Sequence, residues 1–230
     1  MTDTVNVIID NKEISVPDGT TILEAAQRLN IDVPTLCYHP DLRDTGNCRM
    51  CVVEVEGMPT FQPSCAVKVW DGMKVKTFSP ELRKARKMTL ELIMSRHDTD
   101  CLNCKANNNC ELQDLAERLH VDDVRFEVQP DYEHPIDNSS IIKRDPTKCV
   151  NCGRCIRMCN EIQQANALDW AGRGYEKMAM PTFEMELSET TCINCGQCIF
   201  FCAAPWTFAE STPPEADTSD VPQISFPGGV

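Results

Sequence analysis

Val5, Val7 and Ile9 alternate with polar residues, Asp10-Asn11 turns the chain, and Ile14 and Val16 resume the alternation before Pro17-Asp18-Gly19. Alternation puts every second side chain on one face, so the pattern predicts a hairpin with one buried face. Thr21 then stands three residues before Glu24 in capping-box form. Ile22, Ala25, Ala26 and Leu29 follow at helical spacing, which predicts a short amphipathic helix packed on the hairpin. A second helix is predicted from Ser79, with Ser79 as N-cap, Pro80 in the first turn and Leu82, Ala85, Met88, Leu92 and Ile93 as its apolar face. A third should run from Ile156 to Gln163.

The order strand, strand, helix predicts a small α+β, β-grasp-like domain at the start. Composition changes the picture of what holds the rest together. The 230 residues are only 6% aromatic but include fifteen cysteines. Small modules with few large side chains need staples. The N-terminus has no charged segment followed by an apolar one, and nowhere do eighteen uncharged apolar residues run together, so the expectation is a cytoplasmic chain without membrane insertion, free or peripheral to a membrane complex. In a reducing compartment, clustered cysteines are metal ligands rather than disulfides. The net charge of −13, with no Lys or Arg after Lys177, excludes nucleic acid and anionic membrane surfaces as main partners.

The cysteines fall into four groups. Cys37, Cys48, Cys51 and Cys65 have a long–short–long spacing, which suits a [2Fe–2S] cluster whose short pair grips one iron. A zinc site is the alternative that the ligands alone permit, although zinc sites usually show two short pairs. In RHDTDCLNCKANNNC, His97 precedes Cys101, Cys104 and Cys110. Imidazole can replace thiolate on iron, so these four are a candidate [4Fe–4S] set. CVNCGRCIRMC holds Cys149, Cys152, Cys155 and Cys159, and CINCGQCIFFC holds Cys192, Cys195, Cys198 and Cys202, 43 residues further on. Both are the run found in two-cluster bacterial ferredoxins, where the fourth cysteine ligates the other cluster. Cys149, Cys152 and Cys155 are therefore grouped with Cys202, and Cys192, Cys195 and Cys198 with Cys159. With His97 as sixteenth ligand, four clusters use every cysteine.

His39 reads as a loop residue beside the first group, and His120 and His134 lie outside any motif. Met178, Met180 and Met185 read as packing residues in an insertion over 169–186. Gly153 and Gly196 are either turn glycines or positions where backbone N–H groups approach sulfur.

The succession of a [2Fe–2S] domain, a histidine-containing [4Fe–4S] segment and a double [4Fe–4S] domain resembles the N-terminal electron-input region of [FeFe]-hydrogenases. It is also similar to the large iron–sulfur subunit of complex I and to formate dehydrogenase alpha subunits. RDPTKCVNCGRCIRMCNEIQ and LSETTCINCGQC look most like the hydrogenases, because the complex I subunit generally lacks the second intact motif. The resemblance covers about residues 3 to 202. It implies one [2Fe–2S] and three [4Fe–4S] clusters that relay electrons between a soluble donor, ferredoxin or an NAD(P)H-oxidising flavoprotein, and a catalytic hydrogenase or dehydrogenase subunit. The alternatives are an NADH dehydrogenase or formate dehydrogenase subunit and, in another class, a zinc-stabilised scaffold.

The expected division is 1–78 for the [2Fe–2S] domain, 79–120 for the histidine-ligated segment, 121–139 for a linker, 140–204 for the double [4Fe–4S] domain and 205–230 for a disordered acidic, Pro-rich tail. The family pattern after Cys202 continues with proline and then Gly-Ala, whereas this chain reads Ala203-Ala204-Pro205-Trp206. The family's catalytic domain does not follow, so the expectation is an electron-transfer subunit or a shortened hydrogenase that does not evolve hydrogen alone. Four filled clusters would carry the charge to about −20 by formal ligand counting. Basic partner faces and an association that weakens with salt are then expected.

Overall fold

The computed structural model describes residues 4–126, 136–204 and 208–210. The predicted hairpin forms as β1 (Thr4–Ile9) and β2 (Lys12–Pro17), with Val5 opposite Val16 and Val7 opposite Ile14. Asp10 and Asn11 turn it at φ +46° and +65°, the left-handed pair that matches strand twist. α1 (Ile22–Arg28) carries the predicted capping box: the Thr21 hydroxyl accepts from Glu24 N at 3.2 Å, and Glu24 Oε2 accepts from Thr21 N at 2.7 Å. Its Ile22, Leu23, Ala25 and Ala26 are buried against Val7, Ile9, Val53, Val55 and Met73 of the sheet.

β3 (Val52–Val55), β4 (Gln62–Pro63) and β5 (Met73–Lys76) complete a five-stranded sheet in the order β2-β1-β5-β3-β4. β5 runs parallel to β1 and antiparallel to β3. A mixed sheet with one helix on its face is the arrangement that the strand, strand, helix order predicts.

α2 (Pro80–Met94) starts where expected, with Leu82 N donating to Ser79 Oγ at 3.1 Å. Its inward face differs from the apolar stripe. Leu82, Arg86, Leu90 and Glu91 are buried, while Met88 and Leu92 are exposed. Two polar residues turn inward because partners await them. Arg86 donates to the carbonyls of Val52 and Thr77 at 2.6 and 3.0 Å, and Glu91 Oε2 accepts from Arg125 Nε and Nη2, both at 2.6 Å. α3 (Glu111–Leu119) buries Leu112, Leu115 and Leu119 in one cluster with Leu90, Leu36 and Met50, so the middle segment packs on the Cys37 loop.

The last region starts with β6 (Ile142–Arg144). α4 (Arg154–Arg157) continues as a π turn over Met158–Ile162, close to the helix expected over 156–163. The insertion folds as an antiparallel hairpin of β7 (Leu168–Ala171) and β8 (Met178–Pro181). Met178 and Met180 are buried there as expected, whereas Met185 is 38% exposed. α5 (Gln197–Phe200) follows Gly196. Of the tail expected to be disordered, β9 (Phe208–Glu210) pairs antiparallel with β6; positions 205–207 and 211–230 lie outside the described residues. So do 127–135 of the expected linker, with His134. No helix among the described residues is long and apolar enough to cross a membrane.

Candidate metal centres

Cys37 and the Cys48–Cys51 turn lie on the irregular segment between α1 and β3, and Cys65 follows β4. All four side chains are buried. Hydrogen bonds from the Cys48 and Cys65 thiols pull the Cys37 thiol down to about 2, against burial, while Cys48 and Cys65 are pushed well up. Cys51 falls to about 7, chiefly by a hydrogen bond from Cys65. The four sulfurs are thus linked through hydrogen bonds of Cys37 with Cys48 and Cys65 and of Cys51 with Cys65, in which the thiols of Cys48 and Cys65 donate. Backbone N–H groups are aimed at these sulfurs: Cys48 N to Cys37 Sγ and Met50 N to Cys48 Sγ, both at 3.5 Å.

The second group begins just past α2. Burial above all, then the Lys148 ammonium, lowers His97 to about 4, so the ring is neutral at pH 7, the form that binds metal. Its ring is hydrogen-bonded to the Lys148 backbone, while Nδ1 is buried without a hydrogen-bond partner. Cys101, Cys104 and Cys110 lie near one another. The Cys101 thiol is raised by burial and then by negative charge on Cys110 and Cys104. His97 Nδ1 makes no hydrogen bond to these three. Asp98 pins the segment to the next motif, its N–H donating to Thr147 O at 3.0 Å and its carboxylate pairing with Lys148.

The two repeated motifs share a backbone. Asn151 and Gly153 sit at φ +52° and +71°, Asn194 and Gly196 at +54° and +70°, left-handed turns that Asn and Gly tolerate best. Asn151 N donates to Cys149 Sγ at 3.5 Å, Ala167 N donates to Cys159 Sγ at 3.4 Å, and the Asn194 backbone serves Cys192. The Gly153 position has a further reason. A Cβ there would stand 2.6 Å from Trp170 Cζ2, whereas nothing lies within 4 Å at Gly196.

Packing and mutual influence group the cysteines of the two motifs: Cys159 lines one cavity with Cys192, Cys195 and Cys198, and Cys202 packs with Cys152. Cys155 is pushed far up by burial, then by Cys152, Cys149 and Cys202, with Cys198 last. Cys198 is pushed up to about 12 by burial, then by Cys195, Cys192 and Cys159. Cys202 therefore faces the first motif and Cys159 the second. Ala203 and Ala204, where the chain departs from the family pattern, are buried, and the Ala203 backbone hydrogen-bonds the Cys152 sulfur.

With this geometry in view, three family models match in sequence: a 2Fe-2S iron-sulfur cluster binding domain over 2–80, the NADH-ubiquinone oxidoreductase-G iron-sulfur binding region over 86–125, and a 4Fe-4S dicluster domain over 139–204. The NADP-reducing hydrogenase subunit HndD of Solidesulfovibrio fructosivorans is 44% identical over 189 residues, 80% of this chain and 32% of that protein. The NADH-ubiquinone oxidoreductase 75 kDa subunit of Reclinomonas americana is 39% identical over 173 residues, 74% of this chain and 25% of that protein. A chain in the crystal structure of an H2-reduced NAD+-reducing [NiFe]-hydrogenase superposes with a TM-score of 0.80 at 27% identity, covering 92% of this chain and 89% of that one. This chain is a homologue of the iron–sulfur region of these oxidoreductases. It spans a third or less of the length of these two curated relatives.

The donor sets fit iron–sulfur clusters. Thiolate sulfur, with imidazole as an occasional substitute, is the donor type that such clusters take. The first set carries the strongest argument, because four buried thiols in contact cannot all ionise without added positive charge.

Arginines of the iron–sulfur domains were not legible as site residues. Arg154 makes a bidentate pair with Glu111 at 2.6 and 2.8 Å, tying α4 to α3. Arg157 donates to the carbonyls of Cys37 and Arg43, which binds α4 to the first cysteine loop. Asn47 Nδ2 adds a bond to Asn151 O at 2.7 Å, and the His39 ring packs against Phe201 at a 46° tilt with centroids 4.5 Å apart. The repeated Asn-Cys-Gly of the two motifs was the available signal for Asn151 and Asn194.

Proposed function

We propose that this chain is an iron–sulfur electron-transfer subunit, holding one [2Fe–2S] cluster on Cys37, Cys48, Cys51 and Cys65 and three [4Fe–4S] clusters. The three sets are His97 with Cys101, Cys104 and Cys110; Cys149, Cys152 and Cys155 with Cys202; and Cys192, Cys195 and Cys198 with Cys159. Bound clusters would supply reversible one-electron uptake. The chain's own residues hold them, aim N–H groups at their sulfurs and press the groups together through Arg157, Asn47 and Lys148. The observation that carries this reading is that all fifteen cysteines fall within regions that match three iron–sulfur models, with those of the first group and of the first repeated motif up to Cys155 buried.

The NADH dehydrogenase reading is better supported than the [FeFe]-hydrogenase one, because the middle segment matches the NADH-ubiquinone oxidoreductase-G region. The identity to HndD keeps an NAD(P)-linked hydrogenase as the second reading. In both, an NAD(P)H-oxidising flavoprotein subunit or ferredoxin is the donor-side partner, and a catalytic subunit lies on the other side. The test is redox titration of the anaerobically reconstituted chain. A brown protein that bleaches with dithionite and regains its colour with ferricyanide is expected. A colourless, zinc-loaded protein that takes up no electrons would be a scaffold instead.

A further inference from the structure

Arg144, at the end of β6, is 1% exposed and among the largest fully buried side chains. Burial lowers its pKa, yet a guanidinium keeps its proton. Nη2 donates to the Ala179 carbonyl, and Nε has no hydrogen-bond partner. The carboxylates facing it use their oxygens elsewhere. Asp137 accepts from Ser139 N, Ser139 Oγ and Leu187 N at 2.9, 2.6 and 2.9 Å. Asp145 accepts from Thr147 N and Oγ1 at 3.0 and 2.6 Å.

After burial, the Cys149 and Cys155 sulfurs are the largest influences on the buried charge. Ala179 links Arg144 with Cys149: its carbonyl takes the Arg144 hydrogen bond, and its backbone N–H serves the Cys149 sulfur. The Cys149 sulfur is in turn acted on by the guanidinium, and Cys155 acts on the guanidinium. In the other half of the repeat, the charges acting on Cys192 and Cys198 come from cysteines, and the sequence has no Lys or Arg beyond Lys177.

Resting on the ligand sets proposed above, we infer that Arg144 sets the reduction potential of the cluster on Cys149, Cys152, Cys155 and Cys202, holding it above the value that burial alone would give. One electron from an external low-potential donor adds one negative charge, with no bond or proton exchanged. A dry site opposes that charge, and a fixed cation beside two of the four ligands favours it.

An EPR-monitored redox titration of the full reconstituted chain tests this. In Arg144→Met, the [4Fe–4S] signal that Cys155→Ala abolishes should titrate lower. Its reduced-to-oxidised ratio at fixed potential should fall about tenfold, a shift of about 59 mV for one electron. Arg144→Lys should restore most of the shift, and the signal that Cys159→Ala abolishes should not move. An unmoved signal, or an equal shift of every signal, overturns the inference. If Arg144→Met fails to hold clusters, Asp145→Asn decides: it removes an opposing charge while keeping the acceptor for Thr147, so the same signal should rise, and no rise overturns the inference. A wild type without [4Fe–4S] signals overturns the ligand sets themselves, a result distinct from signals that are present and unmoved.

Discussion

On the proposed ligand sets, Cys155→Ala should remove one [4Fe–4S] cluster and spare the other three, lowering iron from about fourteen to about ten per chain. Cys149 and Cys152, just before α4, and Cys155 within it are all buried, so a lost ligand is not readily replaced by solvent. The same loss is expected for Cys202→Ala, although Cys202 belongs to the second motif, because it faces Cys155. Cys159→Ala should instead deplete the signal that Cys192→Ala depletes, since Cys159 acts on Cys192 and Cys198. Iron assay with EPR of the reduced variants checks this. If Cys202→Ala and Cys192→Ala deplete one and the same signal, each motif holds its own cluster and the exchange of fourth ligands is wrong.

Gly153→Ala destabilises the loaded protein by about 2–4 kcal/mol, the sum of a left-handed backbone penalty of roughly 1 kcal/mol and an overpacking penalty of about 1–3 kcal/mol. The Cβ would strike the half-buried Trp170 ring, and moving that ring would also break its contact with Lys177 Nζ, 3.9 Å from the centroid. Gly196→Ala has the same backbone cost and open space around it, so it should lose only about 1 kcal/mol. Denaturant midpoints for the two variants, measured side by side, separate backbone strain from the clash. Equal losses would mean that Trp170 yields at little cost.

The parts of the chain legible in its sequence are those governed by local rules. Alternation specified β1 and β2, the capping box specified α1, and the cysteine runs fell in the regions that match iron–sulfur models. α2 was misread on its inward face because hydrophobic periodicity cannot foresee that Arg86 reaches two carbonyls across the sheet or that Glu91 meets Arg125, 34 residues away. Phe208–Glu210 was missed because its strand exists only through pairing with β6, a long-range event in a Pro-rich, acidic segment. Arg144 and Arg157 escaped for a related reason. An arginine beside a cysteine motif reads as surface charge until the fold removes water from it.

His97 is where spacing and structure bear on the account most directly. It is the proposed sixteenth ligand, and its Nδ1 is buried without a hydrogen-bond partner. The deciding measurement is iron and acid-labile sulfide per chain after anaerobic reconstitution, with EPR of the dithionite-reduced protein, for wild type and His97→Ala. The account predicts about fourteen of each in the wild type and loss or alteration of one [4Fe–4S] signal in the variant. About ten irons, with a variant spectrum identical to wild type, would contradict it and leave the segment from His97 to Cys110 without a cluster.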